Sequence, residues 1–134
     1  MVKMSVLYQG ELRCLATHQP SQTQLYTDAP TDNHGKGQSF SPTDLVATAL
    51  ATCMMTIMGI KAREMNIDLT GTKIEIEKIM ANNPRRIAAL PAKIKFPPLS
   101  LDEKSKKILE NAALTCPVAK SIHPDIQFTV EFEW

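Results

Sequence analysis

The chain has 134 residues, a formal net charge of +1 and only 5% aromatic residues. That length fits a single domain, 1–134, able to bury about two-thirds of its unfolded surface. The near-neutral charge, with Lys and Arg scattered and few aromatics, excludes the footprint of a nucleic-acid binder or of a protein held on an anionic membrane.

MVKMSVLY carries no apolar leader-like run. Three cysteines without such a leader point to a reducing, cytoplasmic setting in which the thiols rest unpaired. Residues 3–8 and 11–17 read as short strands about Gly10, with 22–28 as a third. Cys14 shares a strand face with Leu12 and Ala16, and Arg13 points the other way. Taken alone, Cys14 reads as a small buried hydrophobe and Arg13 as a solvated strand residue. The stretch 29–39, APTDNHGKGQS, reads as a polar loop. His34 within it has no Cys or His at metal spacing, and Lys36 between Gly35 and Gly37 falls short of a phosphate-loop pattern.

The run from 40 to 65, FSPTDLVATALATCMMTIMGIKAREM, predicts one long helix of about 36 Å. Ser41 is a good N-cap, Pro42 suits the first helical position, and Asp44 can close a capping box while Phe40 and Leu45 form a hydrophobic staple. Two adjoining apolar stripes run along it, one through Leu45, Ala49, Cys53, Ile57 and Ile60, the other through Val46, Leu50, Met54 and Met58. A helix apolar nearly all round is buried in a core or an oligomer interface. The uncharged run is short for a membrane span and its threonines suit lipid poorly, so no membrane insertion is expected.

From 69 to 80 the period changes to two, with Ile74 and Ile76 set against Lys73, Glu75 and Glu77. Asn82-Asn83-Pro84 marks a turn, and Arg85 and Arg86 read as surface charges or as an anchor for an acidic group. Ala92, Ile94 and Phe96 alternate with Lys93 and Lys95 in a further strand. A second helix is predicted from Ser100, with Glu103 closing a capping box, an apolar stripe through Leu101, Ile108, Leu109, Ala112 and Cys116, and a stop or kink at Pro117. Residues 126–134 are the clearest strand, with Ile126, Phe128, Val130, Phe132 and Trp134 on one face. The order βββ, long helix, ββ, helix, β is α+β, and a mainly antiparallel sheet curled over central helices suits the half-polar strands. So many apolar segments in a small chain also suggest a dimer.

Cys53 and Cys116 form neither a CxxC motif nor a zinc-spaced set. Two readings stand: core thiols, or a redox pair. If Pro117 starts a new helical turn, Cys116 is its N-cap and free N–H groups there lower its pKa; Cys53, inside a helix, needs a cation from elsewhere.

The SPTDLVATALATC run and the later TCPVAKSI run, with the strand pattern between and around them, resemble the OsmC/Ohr superfamily, and most closely its small OsmC-like members. The resemblance covers nearly the whole chain. It implies an intertwined homodimer with curled sheets around long central helices and a pocket at the subunit interface. It implies a peroxidatic thiol at Cys53, a resolving thiol at Cys116 and a thiolate-stabilising arginine at Arg13. The glutamate that holds this arginine in family peroxidases follows the helix-opening proline. This chain has Thr43 there, and Asp44 one residue later, turned by about 100° around the helix. The activity implied is reduction of organic hydroperoxides by a two-cysteine cycle that protects against oxidative stress. An external dithiol would regenerate the thiols, and no metal, flavin or haem is needed. The alternative is a non-enzymatic binding or carrier protein that uses the interface cavity for a small apolar ligand.

Overall fold

A computed structural model describes residues 1–134 and divides them into two units, Met1–Val46 and Ala47–Trp134. The first is an antiparallel meander of β1 (Met4–Gly10), β2 (Arg13–His18) and β3 (Thr23–Asp28), in the order β1-β2-β3. Gly10, Glu11 and Leu12 all have positive φ, which reverses the chain between β1 and β2. The β2–β3 register runs evenly from His18 opposite Thr23 to Arg13 opposite Asp28. After β3 the polar loop folds back on the hairpin. Ala29 N–H donates to the Leu12 carbonyl at 3.1 Å, and Gly37 N–H to the Ala29 carbonyl at 3.2 Å. Gly35 makes this closeness possible, since a Cβ there would lie 1.7 Å from the Ala29 oxygen.

The long helix is α1 (Pro42–Glu64), and its start is as the sequence predicts. Asp44 N–H donates to Ser41 Oγ at 3.1 Å and Ser41 N–H to Asp44 Oδ2 at 2.8 Å, closing the capping box. Its buried face is Ala47, Leu50, Ala51, Met54, Met58 and Ala62, so the second predicted stripe is the inward one. Cys53 and Ile57, from the first stripe, lie half-buried at its edge, and Ala49 and Ile60 are exposed. The exposed Thr52 and Thr56 hydroxyls donate to carbonyls one turn back, at 2.9 and 2.8 Å. By length and hydropathy alone α1 could cross a membrane, with a mean hydropathy of 1.7.

The second unit's sheet is built on β6 (Arg86–Lys95). One edge of β6 pairs antiparallel with two short strands, β4 (Lys73–Ile76) and β5 (Ile79–Ala81). Its other edge pairs parallel with β7 (Gln127–Glu133). Two helices, α2 (Glu103–Leu114) and α3 (Pro117–Ser121), occupy the crossover from β6 to β7, the long connection that a parallel pair requires. Leu90, Ile94, Leu109 and Cys116 are fully buried with the inward face of α1, and Phe128, Val130 and Phe132 pack against them. Trp134 stacks on Phe96 with ring centroids 3.7 Å apart and donates from Nε1 to Glu110 at 2.9 Å.

Several expectations are corrected. The class is α+β, but the sheets are two open sheets rather than curled ones around central helices, and the second is mixed because β6 and β7 run parallel. The intertwined homodimer is corrected with it, since one chain supplies every strand of both sheets. The predicted strand 69–80 is two strands, interrupted where Glu77 N–H donates to the Pro91 carbonyl at 3.0 Å. β6 begins at Arg86 rather than Ala92. Pro91 disguised its first half, because proline weakens a strand reading, yet it sits where the β4–β5 edge is already broken. The N-cap of α2 is Asp102, whose carboxylate accepts from Ser105 N–H at 2.8 Å, not Ser100.

Candidate functional site

Two groupings of chemically active side chains emerge, one in each unit. In the second unit the helices bring Cys53 and Cys116 together. Cys53 comes from the middle of α1 and is half-buried; Cys116 ends the α2 segment and is fully buried. Cys53 packs against the buried cluster that contains Cys116 and lies near enough to influence its thiol. Around them the surroundings are apolar, with Leu50, Met54, Leu109 and Ala113 among the buried core.

Pro117 does begin a new helix, and Cys116 is its N-cap, with Sγ accepting from Ala119 N–H at 3.4 Å. The expected lowering of its pKa is nevertheless reversed. Burial pushes the Cys116 thiol up, and the neighbouring Cys53 adds to the rise, while the Ala119 and Val118 N–H groups only partly offset it. That rise favours the protonated thiol at Cys116. No three His, Cys, Asp or Glu side chains converge in a metal-holding arrangement.

In the first unit Arg13 is clamped. Its Nε donates to Asp28 Oδ1 at 2.7 Å, and its Nη2 to Asp28 Oδ2 at 2.8 Å and Gln38 Oε1 at 2.9 Å. Asp28 Oδ2 also accepts from Gln38 N–H at 3.0 Å. The Arg13 guanidinium also lies 5.9 Å from the Tyr26 ring centroid. The hydrogen bond from Arg13 is the main reason the Asp28 carboxyl is held below the usual range, and the same bond raises Arg13 further. Asp28 and Gln38 were not singled out from the sequence. The signal was available in the hairpin register, which places Asp28 directly across from Arg13. Asp44 instead closes the capping box, and Thr43 Oγ1 lies 3.2 Å from Ser41 Oγ.

The remaining candidates are placed as follows. Cys14 is half-buried opposite Tyr8 and Thr27. His34 is exposed in a left-handed conformation that ends a 3-10 turn. Lys36 is ion-paired with Glu11 rather than open to an anion. Arg86 closes its own turn by donating to the Asn82 and Pro84 carbonyls.

A sequence model of the family described as OsmC-like protein matches residues 35–131. No curated protein matches the chain. Among solved structures, a Psychrobacter arcticus 273-4 protein, provisionally described as an osmotic stress induced and detoxification response protein, is similar at 55% identity and a TM-score of 0.94. The match covers 99% of this chain and 96% of that one. The organic hydroperoxide resistance protein OsmC of Legionella pneumophila shares the fold at 18% identity and a TM-score of 0.76, covering 100% and 97% of the two chains. OhrB of Bacillus subtilis, an organic hydroperoxide resistance protein, shares it at 20% identity and 0.72, covering 99% and 98%. The matched family and the 55% identity over almost the full length lead to one assignment: this chain belongs to the OsmC-like family of the OsmC/Ohr superfamily.

Proposed function

We propose that the chain reduces organic hydroperoxides through Cys53 and Cys116 and so protects against oxidative stress. The observation that carries this is a half-buried thiol packed against the buried apolar cluster that holds a second, fully buried one. Cys53, as thiolate, attacks the outer peroxide oxygen. The O–O bond breaks, the alkoxide takes a proton and leaves as an alcohol, and Cys53 becomes a sulfenic acid. Cys116 condenses with it, giving a Cys53–Cys116 disulfide and water. An external dithiol then reduces the disulfide and is itself oxidised. The family resemblance gives Arg13 the part of stabilising the Cys53 thiolate and the negative charge developing on oxygen. Apolar neighbours such as Met54, Ile57 and Met58 favour an organic peroxide over hydrogen peroxide. Three unpaired cysteines fit a reducing compartment, which we take to be the cytoplasm.

Consumption of cumene hydroperoxide in the presence of a panel of dithiols tests the reading. Wild type turns over with at least one dithiol, and Cys53→Ser does not. One equivalent of peroxide joins Cys53 to Cys116 and leaves Cys14 reduced, as read by non-reducing peptide mapping. A Cys53–Cys14 bridge removes Cys116 from the resolving role. No thiol reaction over hours in excess peroxide sinks the enzyme and favours a carrier of small apolar ligands. That second reading has support in an open, mainly apolar cavity of 340 Å³ lined by Ala51, Met55, Ile74, Ile76 and three threonines.

A further inference from the structure

Met55, Gly59, Ala62 and Arg63 stand three or four residues apart along one side of α1. Asn66 then takes a left-handed φ of 56° just beyond the helix end. Asn66 N–H donates to the Arg63 carbonyl at 3.2 Å and Ile67 N–H to the Ala62 carbonyl at 2.8 Å, the paired bonds of a Schellman ending. The chain after this turn and the same side of the helix border an open cavity of 630 Å³. Ala62 and Leu69 are buried against it, while Arg63, Asn66, Asp68 and Thr70 are exposed at its mouth.

Gly59 is the residue that packing does not explain. Glycine is a poor helix former, yet a Cβ at Gly59 would meet nothing within 4 Å. What the glycine leaves is open volume in the cavity wall. The charges at the mouth are unequally committed. Asp68 accepts from Thr70 N–H at 2.9 Å, and bonds from the Thr70 side chain and backbone hold its carboxyl below the usual range. Glu64, next to Arg63 in the chain, is paired with Lys61 at 2.9 Å. The Arg63 side chain has no hydrogen bond or ion pair within the chain, so its whole fork of donors is open.

We infer that this cavity binds a small organic acid, its apolar body against Met55, Ile67 and Leu69 and its carboxylate on the Arg63 guanidinium. A guanidinium fork matches a carboxylate through two parallel N–H···O bonds. A mostly apolar wall with a few polar groups that fix orientation is the usual make-up of a ligand site, and 630 Å³ is within the usual size. The head group is an anion because Arg63 is the unspent charge of the lining, whereas Asp68 is already served by Thr70. Neither Cys53 nor Cys116 lines the cavity, and the inference does not rest on the peroxidase reading. The smaller cavity of 340 Å³ shares Met55 with it but neither Gly59 nor Arg63, so variants at these two positions separate the sites.

The test titrates octanoate, octanol and octylamine into the full chain and follows the amide NMR shifts of Gly59, Ile67 and Leu69. Octanoate should bind about tenfold more tightly than octanol, and octylamine more weakly than either. Arg63→Ala should remove the preference for the acid and leave octanol binding within about twofold, since the apolar walls remain. Gly59→Leu should keep the wild-type circular dichroism and abolish binding of both by filling the open volume. If that variant folds poorly, Arg63→Ala decides alone. Equal binding of acid and alcohol by the wild type, full octanoate affinity in Arg63→Ala, or no amide shift with millimolar octanoate overturns the inference. Sedimentation velocity tests the other occupant. An oligomer that dissociates in Gly59→Leu, with no octanoate binding by the wild type, assigns the cavity to contact between copies of the chain and overturns the inference as well.

Discussion

The two units hold themselves together by different means. The second has a dry centre in which Leu50, Met54, Met58, Leu90, Ile94 and Leu109 are fully buried. The first has almost no apolar interior of its own: Val6, Leu7, Tyr8, Leu25 and Tyr26 are all exposed, and the one buried strand residue is Asp28. Its order comes from ladder hydrogen bonds, the returning loop and the Arg13–Asp28–Gln38 clamp. An apolar side chain in a strand is therefore worth little by itself; its value depends on whether anything covers the face it occupies.

Paired core substitutions give the largest expected contrast. Leu50→Ala should cost about 2–5 kcal/mol in urea unfolding, as buried leucines do. Val6→Ala, at an exposed strand position, should stay within about 0.5 kcal/mol. A Val6→Ala cost approaching that of Leu50→Ala would break the contrast.

Acid should distinguish the units next. Asp28 titrates below its unfolded value in the folded chain, so the clamp's stabilisation is full above the unfolded carboxyl pKa and is lost as pH falls through the folded one. Amide shifts of Thr27 to Ala29, followed by NMR, should move in that acid window. In Asp28→Asn the transition should vanish and the segment should already be looser at neutral pH. Movement at neutral pH in wild type would contradict the depressed carboxyl.

The thiols sharpen the contrast within the second unit. Burial raises Cys116, so native-state alkylation should label Cys53 first and Cys116 only at higher pH. Equal rates at both thiols would show that burial does not govern them. Smallest of all, Asp102→Ala should remove the α2 cap at a cost of about 1 kcal/mol.

How legible these features were in the sequence follows from range. Ser41 and Asp44 are three residues apart and closed their box as read, because a cap is a local event. The alternation in β7 correctly sorted Phe128, Val130 and Phe132 from Gln127, Thr129 and Glu131. Alternation says nothing of strand direction, so the parallel β6–β7 pair was invisible. Pro91 hid half of β6, since its neighbours on the other edge decide whether a missing donor matters. The N-cap position of Cys116 was read correctly, yet its pKa was misjudged: the cap is local and legible, but the burial that outweighs it is not. The Arg13–Asp28 pairing was not singled out because it depends on one hairpin register.

Trp134 is the chain's one tryptophan, and its indole rests on Phe96 with its N–H on Glu110. The two tyrosines, Tyr8 and Tyr26, both belong to the first unit. Nature has in effect labelled each unit with a separate chromophore. Emission excited at the red edge of indole absorption reports only on the docking of β7 against α2 and β6. Tyrosine signals report only on the meander. Denaturation curves recorded through the two dyes coincide if the units melt as one cooperative body and separate if they do not, so the cooperativity of this chain can be measured without adding any probe to it.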